Sequence, residues 1–158
     1  MVCGLERIEH EKVFRFSLVA LFFLAGGAFA QDIPQSQVPT EVVNNFKKTF
    51  PDATDVEWEM DGDRYKVEFE IGLLKMDHDV WYDAAGQVLK HQEEISTSDL
   101  PKKVTAAIKR KFKGYRIEDA EKITEGNQVA YILEVKSRTE EWKLAGDSEG
   151  NILNKVAD

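Results

Sequence analysis

The residues most able to do chemistry in this chain are few. His78 lies between two carboxylates in Asp77-His78-Asp79, and His91 follows further on. This is the single metal-like cluster in the sequence. If it lies on a strand, Asp77 and Asp79 point away from His78, so those three cannot converge on one ion. His91 lies past a turn and could approach the same strand. However, two histidines with scattered carboxylates lack the ligand spacing of a metal motif, so no metal site and no cofactor are assigned. Asp61 and Asp63 around Gly62, and Asp83 and Asp147 before Gly86 and Gly150, suit turns, since no stretch approaches a full calcium loop. Glu93-Glu94 and Glu140-Glu141 read as solvated surface. A serine elbow, a glycine-rich phosphate loop and a histidine–nucleophile pairing are all missing, so an enzyme is the poorest reading and no catalytic residue is assigned.

Trp81 is more informative. On an alternating strand it projects opposite the Val/Tyr/Phe face, among Lys75, Asp77, Asp79, Arg64, Lys66, Glu68 and Glu70. A large aromatic in a charged field has the composition of a protein-binding patch. The bland alternative is that it packs on the aliphatic stems of its neighbours. The candidate partner-binding residues are therefore Trp81, Asp79, Lys75, Lys66 and Glu68.

Regular elements must position these residues. The 158 residues are 42% hydrophobic and 32% charged with net charge −8, the composition of a globular protein. An acidic balance argues against nucleic acid and against an anionic membrane surface as partner. Lys12 and Arg15 lead into the apolar run from Phe16 to Ala25, and Gly26-Gly27-Ala28-Phe29-Ala30 follows. This pattern reads as a secretory signal peptide over residues 1–30, cut after Ala30. The run is too short for a stable membrane helix. The lone Cys3 would leave with the leader, so the expected periplasmic or secreted product has no thiol. Residues 31–37 read as a polar linker.

Helical spacing joins Val42, Val43, Phe46 and Phe50, between Pro39 and Pro51. Alternation takes over at Val56, Trp58 and Met60, and Asp61-Gly62 signals a hairpin. Tyr65, Val67, Phe69 and Ile71 form the cleanest strand, and Leu74, Met76, His78, Val80 and Tyr82 a third. The Asp83–Gly86 turn leads to a fourth strand, from Gln87 to Gln92. Pro101, Val104, Ile108 and Phe112 then repeat Pro39, Val42, Phe46 and Phe50 at constant spacing. Gly126 and Gly150 likewise repeat Gly62 and Gly86, and the register near Ile117 to Ile123 is ambiguous. The chain thus reads as a duplicated α+β unit, residues 38–95 and 99–156, together one domain.

Val38-Pro39, Val42, Phe46, Phe50-Pro51, Val56-Glu57-Trp58, Tyr65-Lys66-Val67-Glu68-Phe69 and Asp83 to Gly86 resemble the PepSY-like, beta-lactamase-inhibitor-like family of secreted bacterial proteins. Leu100-Pro101, Phe112, Tyr131 and Asp147 to Gly150 carry the resemblance into the second half. It implies two tandem helix-plus-four-strand antiparallel units forming one curved sheet with helices on one face. By analogy it implies a non-enzymatic module that binds another envelope or secreted protein, as an inhibitor or modulator of an envelope hydrolase. The alternative is a small-ligand or cation-binding envelope protein using His78, His91 and nearby carboxylates.

Overall fold

The computed structural model describes residues 31–157, so the expected signal peptide lies outside the described residues. Strand β1 (Gln31–Asp32) precedes helix α1 (Thr40–Thr49) and strands β2 (Thr54–Asp61), β3 (Arg64–Ile71), β4 (Met76–Tyr82) and β5 (Val88–Glu94). Helix α2 (Lys102–Lys111) then leads into β6 (Arg116–Glu125), β7 (Gln128–Lys136), β8 (Glu141–Asp147) and β9 (Ile152–Ala157).

The expected α+β arrangement of two tandem helix-plus-four-strand units is corrected by this topology. The nine strands form one open antiparallel sheet in the order β1 to β9, with strand accounting for about 50% of the structure and helix for about 20%. The physical reason is visible at the boundary expected between the two units. There β5 and β6 pair as ordinary neighbours, with His91 opposite Thr124, Gln92 opposite Ile123, Glu93 opposite Lys122 and Glu94 opposite Glu121. The Ile95 N–H carries the ladder on to the Ala120 carbonyl at 2.9 Å. An unpaired edge on either half would leave a row of backbone donors and acceptors unsatisfied, and joining the halves removes both edges at once. At the sheet's start, residues expected to form a linker instead pair with β2, Gln31 opposite Met60 and Asp32 opposite Glu59.

Both helices lie on one face of this sheet. Pro39 and Pro101 precede them, and the carbonyls of these prolines accept the first-turn amides of Val43 and Thr105, each at 3.1 Å. Lysines in the last turns favour the negative ends of the helix dipoles. Val42 and Phe46 pack on Trp58, Val67, Phe69, Val80 and Tyr82, and Val104 and Ile108 pack on Leu133, Val135 and Leu144. Phe46 meets Trp58 and Phe69 edge-on, with centroids 5.4 and 5.1 Å apart.

The two Asp-x-x-Gly turns do more than reverse the chain. Asp83 Oδ1 accepts the amides of Ala85 and Gln87 at 2.9 and 2.8 Å, and Asp147 Oδ1 accepts those of Glu149 and Asn151 at 2.9 and 3.0 Å. Gly86 and Gly150 then press against the helices. A Cβ at Gly86 would stand 3.0 Å from the Glu41 carbonyl oxygen, and one at Gly150 would stand 2.6 Å from that of Lys103. Asn45 Nδ2 adds a bond to the Gly86 carbonyl. Each turn therefore docks a helix onto the sheet.

Two strand readings shift in the structure. A bulge between Thr54 and Glu57, with Asp55 at φ 51°, swings Val56 outward to 37% exposure. Gly72 to Lys75 form a turn rather than the start of a strand, leaving Leu73 and Leu74 exposed at its tip.

Candidate functional site on the open sheet face

Period two sends every second side chain away from the helices, and the registers bring these together on the open face. Trp81 stands between Lys66 of β3 and Lys90 of β5, directly opposite both. The Lys90 ammonium lies 3.9 Å and the Lys66 ammonium 5.2 Å from the ring centroid, a cation–π arrangement from two sides. The indole N–H donates to Asp61 Oδ2 at 2.8 Å, and the same oxygen accepts from Arg64 at 2.8 Å. Trp81 is 7% exposed. It is the packed centre of a charged patch, not a bare aromatic on its surface.

Around it, Lys66 is shared among Glu68, Asp79 at 3.5 Å and Glu59 at 3.7 Å. Burial works against its charge, but these three carboxylates outweigh burial and hold the ammonium above the ordinary lysine range. Asp79 moves up from its ordinary value because burial disfavours the anion more than Lys66 favours it. Burial lowers Lys90. The structure thus joins Trp81, Lys66, Asp79 and Glu68. Lys75 stands apart, about 20 Å along the strand, at the exposed turn, where it pairs with Glu70 at 2.8 Å and Asp55 at 3.0 Å. Lys90 and Asp61, absent from the sequence-based set, complete the clamp; alternation places Asp61 on the Trp81 face, whereas Lys90 comes opposite Trp81 through a register shift that alternation does not report.

Next to this patch, Asp77, Asp79, Gln92, Glu94, Asp119, Glu121 and Glu134 line a trough of about 300 Å³. Gln92 donates to Glu121 at 2.6 Å, and Lys143 lies 3.6 Å from Glu134. Beyond the trough, Ile123, Ile132 and Ala145 are buried with Leu153 against them.

The helix face holds the second set of titratable groups. His78 lies opposite Glu93, and His91 two pairs further along, opposite Val80. His78 Nδ1 and His91 Nε2 stand 3.1 Å apart. Phe69 stacks on His78 at 5.2 Å, and Phe50, which follows the last turn of α1, meets His91 edge-on at 5.5 Å. Lys122 donates to Glu93 Oε1 at 2.8 Å. Burial lowers both histidines from their ordinary range; Glu93, Asp77 and Glu94 oppose this at His78, while Glu93 opposes it and His78 and Lys122 reinforce it at His91. Asp77 and Asp79 point to the trough on the other face, as strand alternation requires.

An open antiparallel sheet carrying two helices on one side defines the class, and comparison with known proteins supplies the family. The PepSY-like family, provisionally described as beta-lactamase-inhibitor-like, matches over residues 28–90 and 63–154. The chain belongs to this family. A BLIP-like protein of Bacteroides fragilis is 21% identical with a TM-score of 0.60, the match covering 79% of this chain and 87% of that one. A DUF2874 family protein of Bacteroides uniformis is 21% identical with a TM-score of 0.62, covering 75% and 88%. A protein of Bacteroides eggerthii, provisionally described as periplasmic, is 18% identical with a TM-score of 0.64, covering 76% and 88%. These TM-scores show a shared fold, and at such identities the likeness shows the fold alone. A search of curated proteins finds no match. Among the described residues, no helix is long and apolar enough to cross a membrane.

Proposed function

We propose that this protein is a non-catalytic binding module of the periplasm or secreted space, reached through the leader over residues 1–30. In its finer form the proposal makes the partner an envelope hydrolase that the module inhibits or modulates. The observation that carries it is the sheet face opposite the helices, which no helix covers among the described residues and which brings Trp81, Lys66, Asp79 and Glu68 together. The family's inhibitor-like description and the BLIP-like neighbour support the same reading. Trp81 acts as the anchor: by holding Lys66 and Lys90 against its ring it keeps the charged groups ordered before a partner arrives, which lowers the entropy lost on binding. Lys75 contributes from the far turn, beside the exposed Leu73 and Leu74.

The test uses a photo-crosslinking residue at Glu68 on the open face and, separately, at Lys109 on α2, in cells carrying the full chain. One protein joined through Glu68 and not through Lys109 is the expected result. That protein, purified, binds the wild type and loses at least tenfold affinity for Trp81→Ala and for Glu68→Lys, with thermal melts verifying that each variant is folded. Equal affinity for folded variants overturns the site. Unchanged hydrolysis by the captured protein, at saturating module, overturns the inhibitor role.

A further inference from the structure

On the opposite face from that patch, three groups meet that the chain's sequence does not mark as a motif. The nearest ligand-type atoms of His78, His91 and Glu93 all lie within 4.8 Å of one another. We propose that these residues form a binding site for one divalent transition-metal ion, zinc in the first instance.

The convergence follows from the register. His78 faces Glu93 across the β4–β5 ladder, and His91 lies two residues before Glu93 on the same face of β5. The separation of the two imidazole nitrogens, 3.1 Å, approaches the distance of about 3.3 Å expected for two ligands that each lie about 2.0–2.1 Å from a tetrahedral zinc ion. A small opening of the pair admits the ion between them. The hydrogen bond that the two rings share requires one of them to accept through a lone pair, so at least one nitrogen already has the form that a metal needs.

The supporting shell is built as well. Phe69 lies almost parallel to His78, at 11°, and Phe50 packs edge-on against His91, so both rings are held before any ion arrives. Lys122 donates to Glu93 Oε1 and so fixes the orientation of the carboxylate. Two imidazoles and one carboxylate suit a borderline ion such as zinc better than calcium or magnesium, which prefer shells of oxygen. With three protein ligands, water fills the fourth position and the shell stays open. The site ties β4 to β5 beside the junction with β6, where the halves of the sheet meet.

Zinc chloride titrated calorimetrically into the chelator-stripped chain tests this. One ion per chain is expected, with calcium and magnesium chloride giving no saturable heat. Glu93→Gln weakens zinc binding by roughly tenfold, and the double variant His78→Gln/His91→Gln abolishes the one-to-one isotherm. A second variant, Glu94→Gln/Asp119→Asn, alters the acidic trough and leaves zinc binding unchanged. Circular dichroism in the presence of chelator checks that each variant is folded. Should the histidine variant not fold, Glu93→Gln and the trough variant decide the matter. No stoichiometric zinc in the wild type overturns the site, as does undiminished binding by folded His78→Gln/His91→Gln or by Glu93→Gln. Loss of binding in the trough variant also overturns it.

Discussion

At the scale of single residues, the glycines of the two Asp-x-x-Gly turns are the most constrained positions. Gly150 has φ +82°, and a Cβ there would lie 2.6 Å from the Lys103 carbonyl oxygen and 3.0 Å from Ala107 Cβ. Gly62 has φ +66° with nothing within 4 Å of the same atom. Both substitutions to alanine carry the cost of a left-handed residue, about 1–2 kcal/mol, but only Gly150→Ala also displaces a helix. Urea unfolding of the two variants is expected to show Gly150→Ala as the more destabilised by at least about 2 kcal/mol. Equal losses would mean that the turn does not hold α2. The Asp-Gly chemistry of the turn is readable from the chain; the helix resting on it is not, because that contact depends on where the turn ends in space.

The histidine pair gives a second prediction at this scale. Phe50, Phe69, Glu93 and Lys122 surround the rings, with Asp77 and Glu94 nearby, and burial holds both pKa values below the ordinary histidine range near 6.5. The unfolded chain therefore takes up these protons more readily than the folded one. The stability contributed by the neutral rings is present above about pH 6.5 and is lost as pH falls through the lower folded values. In chelator-containing buffer, the melting temperature is expected to fall between pH 7.5 and 5. It should fall less steeply for His78→Gln/His91→Gln, and identical slopes would refute the assignment.

At the scale of elements, helices and hairpins were largely legible, since Pro39, Pro101 and the alternation of Tyr65 to Ile71 encode them locally. The misreadings share a cause. Leu74 continues an apolar alternation and so reads as strand, yet Lys75 adopts φ 52° and bonds from its amide to the Gly72 carbonyl at 3.2 Å. The turn takes precedence, and Leu73 and Leu74 are left at 102% and 83% exposure. Leu73→Asn/Leu74→Asn is accordingly expected to change unfolding free energy by no more than about 0.5 kcal/mol. A larger loss by chemical denaturation would mean that the tip packs on something in the folded chain. Val56 is turned outward by a bulge, and a second bulge, between Ile117 and Asp119 in β6, settles the register that the sequence leaves ambiguous, with Ile117 packed on the helix side. One extra residue in a strand reverses which face its side chains take, and no alternation pattern reports it.

At the scale of the whole molecule, two helix-bound cores share a single sheet. Ile123 is fully buried on the face opposite the helices, where β6 meets Gln92 of β5. Ile123→Asp places a carboxylate at this junction, with an expected cost of about 3 kcal/mol or more. Because the ladder passes unbroken from β5 to β6, far-ultraviolet and tryptophan signals should shift together in a single transition. Two separated transitions would show that the halves unfold independently. The chain by itself determined the helices, the hairpins, the acid-rich surface and the family resemblance, because propensity, turn chemistry and period-two patterning are local. Only the tertiary structure decided that the ladder runs from β1 through β9 without a division into two units, that Trp81 is enclosed between two lysines, and that His78 meets His91. Those outcomes depend on which strand edges pair and in what register, and pairing is settled by hydrogen bonds between residues far apart in sequence.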